Sequence, residues 1–277
     1  MSWVLLAYSL GDPAGKGAAD AIRELKGSGS PCSIKGAVDC NSYREMRAYL
    51  AGFREDNIYF EFLDEAAPDN VAAYIILSRH SGGKPSLTLH YPGNPGSKAP
   101  YGGRPRELAI AWPRLMAALA RTYHDTAAGK GLLQRYTFTL EATHHGPTSL
   151  RKPIVFIEIG SSPSEWRDPE AWTAMAEAVV EVLEHGWSRE QCSGIVVGVG
   201  DTHYPVKHTR ALLEEELCYS HIFSRHVLPE LTPSIVKQAV EKTIETVDAI
   251  VHTKIPGSTR RMLADTAREL GLKLEKL

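Results

Sequence analysis

The chain reads as an α/β protein built on a mixed, partly parallel sheet flanked by helices. Two patterns along its 277 residues predict this. Apolar runs of strand length recur, and amphipathic stretches with helical period lie between them. A third observation is positional. Successive runs end in polar, His- or Gly-rich segments, where open α/β sheets bind their ligands.

Trp3–Tyr8 is the first strand. Asp12-Pro13 then supplies a cap and a first-turn proline, and Ala18, Ile22 and Leu25 give the helix one buried stripe that ends at Gly27-Ser-Gly-Ser-Pro31. Helix is expected over about Ser42–Leu50 and strand around Ile58–Leu63. Ala73–Leu77 runs into Ser78-Arg79-His80, and Leu87–Leu89 into His90 and Pro92-Gly-Asn94-Pro-Gly96. Tyr136–Glu141 alternates apolar and polar side chains and runs into Thr143-His144-His145-Gly146-Pro147-Thr148. Ile154–Ile159 leads to Gly160-Ser-Ser162, and Ile195–Val199 to Gly200-Asp201-Thr202-His203-Tyr204. Helices are expected over Glu107–Thr126, kinked at Pro113, and over Pro169–His185, capped by Asp168 and stopped by Gly186.

The part from about 210 to 277 is expected to be mostly helical. Thr232-Pro233 opens a helix with Ile235, Ala239, Val240, Ile244 and Val247 on one face, and Ser258 caps a last helix ending near Gly271. With no linker or internal repeat, residues 1–277 are expected to form a single domain.

Composition excludes several classes. At 43% hydrophobic and 23% charged, the chain is neither disordered nor a coiled coil. No apolar run approaches the roughly 18 residues of a membrane span, and the opening Met1-Ser-Trp-Val lacks a basic signal region. A cytoplasmic protein without membrane contact is expected. A net charge of −2 argues against a polycation that coats duplexes but permits a local basic patch. Cys32, Cys40, Cys192 and Cys218 form no C-x-x-C pair and read as ordinary thiols. Serine-hydrolase elbows, phosphate loops and H-E-x-x-H zinc motifs are absent from the sequence.

Imidazole remains. His144 and His145 are adjacent, so their rings diverge unless the Gly146-Pro147 turn begins there. His203 and His208 flank Pro205, which suits a loop. Neutral imidazole is a good zinc ligand and a good general base near pH 7. Glu158 lies inside a strand, where a carboxylate needs a partner; it would orient an imidazole or complete a metal shell. Asp12 reads as a helix cap rather than an acid. These clusters describe a His-lined pocket, most simply that of a hydrolase.

The motifs Asp12-Pro-Ala-Gly15, Ser78-Arg-His80, Thr88-Leu-His90, His144-His-Gly-Pro-Thr148, Glu158-Ile-Gly-Ser-Ser162 and Thr202-His-Tyr204 resemble the archaeal and plant type of D-aminoacyl-tRNA deacylase (the archaeal D-tyrosyl-tRNA deacylases). The loop departs from that pattern in carrying Asp201 where the family usually has glycine, and Ser220 stands where glycine is expected before His221.

The resemblance implies a peptidyl-tRNA hydrolase-like core, zinc as cofactor, and hydrolysis of the ester between a D-amino acid and tRNA. His144, His145 and His203 are expected to bind the metal or act as base. Glu158 would support them, and Thr148 or the Gly146 amide would stabilise the oxyanion. Ser78, Arg79, His80, His90, Asn94, Tyr204, Lys207, His208 and His221 are expected to meet substrate or tRNA. Arg104, Arg106, Arg151, Lys152 and Arg210 are candidate phosphate contacts of a protein acting as a monomer. The rivals are another hydrolase or nucleosidase on the same scaffold, and a non-catalytic RNA- or nucleotide-binding protein with structural histidines.

Overall fold

Strand and helix alternate as expected in a computed structural model, which describes residues 3–188 and 190–277. Met1 and Ser2 of the opening segment therefore lie outside the described residues. The chain begins β1 (Trp3–Ser9), α1 (Pro13–Lys26), β2 (Ser30–Pro31), β3 (Asp39–Tyr43), β4 (Ala48–Phe53), α2 (Leu63–Ala66), β5 (Val71–Ser81) and β6 (Ser86–His90). It continues with β7 (Gly93–Asn94), β8 (Glu107–Leu108), α3 (Pro113–Gly129), β9 (Thr137–Leu140), β10 (Ile154–Ser161) and α4 (Pro169–His185). The last part holds β11 (Gly194–Val199), α5 (Val206–Glu214), β12 (Leu217–Phe223), α6 (Pro233–Glu241), β13 (Ala249–His252), α7 (Gly257–Leu270) and β14 (Lys273–Lys276).

The first sheet has the order β2-β3-β4-β1-β5-β10-β6-β9. Its centre is parallel, and β6 and β9 run against β10. A second, wholly parallel sheet has the order β12-β11-β13-β14. Helices α1, α3 and α4 cover one face of the first sheet over a large apolar core, which runs on into the second sheet through Val197, Phe223 and Ile250. The opposite face carries a smaller core of Leu5, Phe53, Tyr74, Ile76 and Phe156.

Several local expectations are corrected. Ser42–Leu50 is a hairpin of β3 and β4, not a helix. Its Met, Arg and Ala favour helix, but pairing of Leu50 beside Leu6 of β1 buries the strand, and tertiary burial outweighs propensity. The supposed strand Ile58–Leu63 is a 3-10 turn over Asn57–Phe62 leading into α2, held by edge-to-face packing of Phe53, Phe60 and Phe62. Pro113 does not kink α3 but starts it, because its missing N–H costs nothing in the first turn.

The C-terminal part is not mostly helical, since β12, β13 and β14 interleave with its helices. Helix α6 stops at Glu241, leaving Ile244 exposed and Val247 buried in a later segment. The last helix is preceded by Pro256 rather than Ser258, and it does end at Gly271 in the left-handed conformation. The four cysteines are not free thiols: Cys32 pairs with Cys40, and Cys192 with Cys218. Their partners come together only through the hairpin and the second sheet, which spacing in the sequence does not reveal.

Asp12 caps α1 as expected and does more. Its Oδ1 accepts from the Ala14 and Gly15 amides, and its Oδ2 accepts from the Arg79 amide at 2.7 Å and from Asn57 Nδ2 at 2.9 Å. One buried carboxylate thus ties α1 to the end of β5. Asp12→Ala should lower the unfolding free energy by about 2–3 kcal/mol, from the lost cap and stranded donors. Urea denaturation checks this, and an unchanged midpoint would count against the tie.

Candidate active site

Strand parity builds the floor of a crevice. On β10, Phe156, Glu158 and Gly160 share one face. Register sets His90 and Thr88 of β6 opposite Phe156 and Glu158, and Ser78 and His80 of β5 opposite Glu158 and Gly160. His80, His90 and Glu158 therefore project from the face away from the large core. Gly160 makes room, because a Cβ there would lie 2.7 Å from His80 Cδ2. The histidines do not line one rim of the sheet, as strand ends alone suggest, because β6 and β9 run opposite to β5 and β10.

The segment after β9 roofs this floor. Glu141 N donates to Leu89 O, Ala142 N to His203 O and Thr143 N to Ile222 O, which joins the His-His loop to both sheets. His145 has a φ of 48°, in the left-handed region. The chain turns there, and imidazoles that would diverge on a strand lie with centroids 4.4 Å apart. His144 is also 4.2 Å from the His90 ring and 4.6 Å from the His203 ring. The resulting cavity is about 470 Å³, with His80, His144, His145, His203, Glu158 and Arg79 among its walls.

Glu141, which the sequence reading leaves as a strand residue, is central. It is buried; its Oε2 lies 2.8 Å from His203 Nε2, and its Oε1 lies 3.0 Å from His80 Nδ1. Glu158 Oε2 is 3.6 Å from His80 Nδ1 and 3.7 Å from His90 Nε2, and accepts from Thr88 Oγ1. Burial opposes charge on both carboxyls, but His203 and His80 hold Glu141 well below the usual carboxylate range, and His80 and His90 lower Glu158. Burial likewise opposes charge on His80, yet Glu141 and Glu158 push it up to about 11. As an imidazolium it donates through Nε2 to the Tyr204 hydroxyl at 2.8 Å. The signal in the sequence was a lone acid at a strand end, directly before Ala142-Thr-His-His.

The other imidazoles present lone pairs. His144 Nδ1 faces Ala142 O at 2.9 Å and His145 Nδ1 faces Gly146 O at 2.6 Å, so these nitrogens carry the protons and both Nε2 atoms are bare. Burial, then the charge of His90, holds His144 well below its ordinary value and His145 down at about 4. Bare His144 Nε2 sits 3.7 Å from the Glu141 carboxylate, an approach of two acceptors that a cation between them would relieve. Among the described residues neither ring nitrogen of His90 has a hydrogen-bond partner. Three groups could hold a metal ion: His90, His144 and His145; Glu141, His144 and His203; and His80, Glu141 and Glu158. The expected set of His144, His145 and His203 is thus divided between two triangles that share His144.

Some expected site residues lie elsewhere. Thr148 is buried, donates to Glu107, and has its amide bonded to Glu61, while the Gly146 amide donates to Tyr101 O; neither is free for an oxyanion. Asn94 Nδ2 is bonded to Gly102 O and anchors the same loop. His221 is buried between Thr143 Oγ1 and Ala109 O, and His208 packs against Tyr219. Both are core histidines, pushed down to about 4 by burial. Lys207 opens α5 outside the crevice, its amide bonded to Asp201. Ser78, Arg79 and His80 do line the cavity, and Arg79 pairs with Asp56 at 2.7 Å over the Trp166 ring.

A histidine–carboxylate crevice on the face of a mixed α/β sheet has the chemistry of a hydrolase. The family model for D-aminoacyl-tRNA deacylase matches residues 67–275. A D-aminoacyl-tRNA deacylase of Hyperthermus butylicus is 52% identical over 98% of this chain and 99% of its own length. One of Aeropyrum pernix is 39% identical over 98% of each. A crystal structure of a conserved protein of unknown function superposes with a TM-score of 0.90 at 27% identity, covering 99% of this chain and 95% of that one. The chain belongs to the D-aminoacyl-tRNA deacylase family. Among the described residues no helix is long and apolar enough to cross a membrane.

Two outcomes follow from the electrostatics. In Glu141→Gln, the His80 imidazolium should titrate well below the wild-type value of about 11, as NMR of the ring nitrogens would show; an unmoved titration would remove Glu141 as its anchor. His221 is held neutral, so the folded state binds fewer protons than the unfolded chain, whose histidine titrates near about 6.5. Its contribution to stability should be complete above that value and lost as pH falls toward about 4. His221→Gln should flatten the acid limb of a urea-midpoint profile, and an unaltered limb would contradict the assignment.

Proposed function

We propose that this protein hydrolyses the ester between a D-amino acid and the terminal ribose of tRNA, releasing both, and that the histidine–carboxylate crevice performs the reaction. The observation that carries the reading is the Glu141–His203 pair at 2.8 Å. Glu141 fixes the proton of His203 on Nε2, leaving Nδ1 as an oriented base, and it stabilises the imidazolium formed when that nitrogen takes a proton from water. His203 is partly exposed, beside the partly exposed His144 and His145, where the ester would arrive. The His80 imidazolium and Arg79 are the fixed positive charges facing the carbonyl oxygen as it gains charge.

The bare Nε2 atoms of His144 and His145, with the unpartnered nitrogens of His90, fit a soft divalent ion, and Zn²⁺ suits such a donor set. Glu141, His144 and His203 would hold it at one position, and His90, His144 and His145 at another. When bound it supplies Lewis acidity and makes water more acidic. One core joins both sheets, which supports a single-domain catalyst.

Deacylation of matched D- and L-aminoacyl-tRNA, with and without chelator, tests the reading. Hydrolysis should favour the D-ester and fall on chelation, and His203→Ala or His144→Ala should lose about 10²-fold or more in rate. Equal turnover of both enantiomers would defeat the proposed activity. Full activity of both variants would defeat the proposed site.

A further inference from the structure

A second cavity, of about 740 Å³, lies across Tyr204 from the reaction crevice. One wall is the i, i+3, i+4, i+7 face of α5, namely Val206, Thr209, Arg210 and Leu213; the opposite wall includes Phe138 on β9, the edge strand of the first sheet. Its surface is largely apolar, and Val206 is 68% exposed there. The two cavities meet at one point. Tyr204 lines the second, while its hydroxyl bonds His80 of the first at 2.8 Å. Gly82 passes between them, and a Cβ on it would stand 2.6 Å from both the Tyr204 hydroxyl and His80 Nε2.

We infer that this cavity seats the 3′-terminal adenosine of tRNA, base between Phe138 and α5, with Lys84 and Arg210 at its phosphate. The inference rests on the reading that the ester is cleaved in the histidine crevice. Two arms leave the ester carbonyl, and they differ in charge. The acyl arm ends in an α-ammonium group, and the crevice wall carries Asp12, Asp56 and Glu158 against Arg79 and the His80 imidazolium, an excess of one negative charge. The nucleotide arm carries phosphates, which those carboxylates would repel. On the other side of Tyr204 the cavity is lined by Lys84 and Arg210 against Glu214, an excess of one positive charge. Neither Lys84 nor Lys207 has a carboxylate partner among the described residues, and Arg210 meets Glu214 only at 3.7 Å. An apolar slot with an aromatic wall and a few cations is what an unstacked terminal base and its phosphate require.

Adenosine 5′-monophosphate is the probe. It should bind the wild-type protein and compete with D-aminoacyl-tRNA. Val206→Trp and Leu213→Trp, which fill the cavity, should weaken calorimetric binding of the nucleotide at least tenfold and lower kcat/KM by about tenfold. That loss should be the same for D-tyrosyl and D-alanyl esters. Val206 projects into solvent, so its variant keeps the test open if the variant at the partly buried Leu213 fails to fold. Arg210→Glu should weaken binding of the monophosphate but not of adenosine. Undetectable nucleotide binding at millimolar concentration, or binding unaltered in both tryptophan variants, would overturn the assignment. So would a loss confined to the bulky D-tyrosyl ester, which would make this the acyl pocket. Calorimetry needs no turnover, so nucleotide binding that persists in a protein inactive on D-esters would refute the proposed function and leave the nucleotide site standing.

Discussion

Two carboxylates buried beneath five imidazoles are the constraint on which the rest of the site depends. Glu141 and Glu158 are almost wholly removed from water, and each would be prohibitively costly as an isolated ion. His80, placed within reach of both, holds a proton between them. That shared proton lets both acids stay ionised, and ionised acids then fix the rings above them. The sheet is arranged to make this possible. Side-chain parity on β5, β6 and β10 delivers His80, His90 and Glu158 to one face, and the glycine at position 160 leaves space for the His80 ring.

The same arrangement separates stability from reactivity. The helical face of the first sheet is apolar and closely packed, while the opposite face changes along β10 from Phe156 in the smaller core to Glu158 in the crevice. The two sheets are joined through the segment that carries the imidazoles: Ala142 bonds the His203 loop and Thr143 bonds β12. His221 belongs to that joint rather than to the site, since its two ring nitrogens are engaged by Thr143 and Ala109. A histidine with both nitrogens satisfied serves as a structural cross-link. The bare nitrogens of His144 and His145 remain for chemistry.

Most of the fold was legible because strands such as Ile154–Ser161 and Val71–Ser81 announce themselves by apolar runs, and helices such as Pro169–His185 by caps and period. The hairpin at Asp39–Phe53 was not, because its residues favour helix locally and only pairing with β1 makes it sheet. Clustered imidazoles pointed to His144, His145 and His203, which line one crevice. Glu141 escaped because an acid ending a strand is ordinary on a surface, and nothing local tells that the second sheet covers it. Thr148 and Asn94 failed for the converse reason: they sit in a distinctive motif, but Glu61, Glu107 and the Gly102–Arg104 backbone consume their hydrogen bonds. Motif membership marks a neighbourhood, and hydrogen-bond accounting decides which members are available.

The loop that holds His203 is built around an aspartate in the left-handed region. Asp201 has a φ of 69°, a conformation that favours glycine and costs a larger residue about 1 kcal/mol. Aspartate recovers that cost through its side chain: Oδ1 accepts from the Thr202 amide, and Oδ2 from the Lys207 amide in the first turn of α5. An anion at that end also complements the helix dipole. The carboxylate thereby closes residues 201–207 into a ring, within which Thr202 Oγ1 bonds Tyr204 O. His203 and Tyr204 are both inside the ring, so the base and the wall beside it are positioned by one strap. Glycine would permit the turn but could not supply the two acceptors. Asp201 therefore stiffens the loop where His203 must meet Glu141.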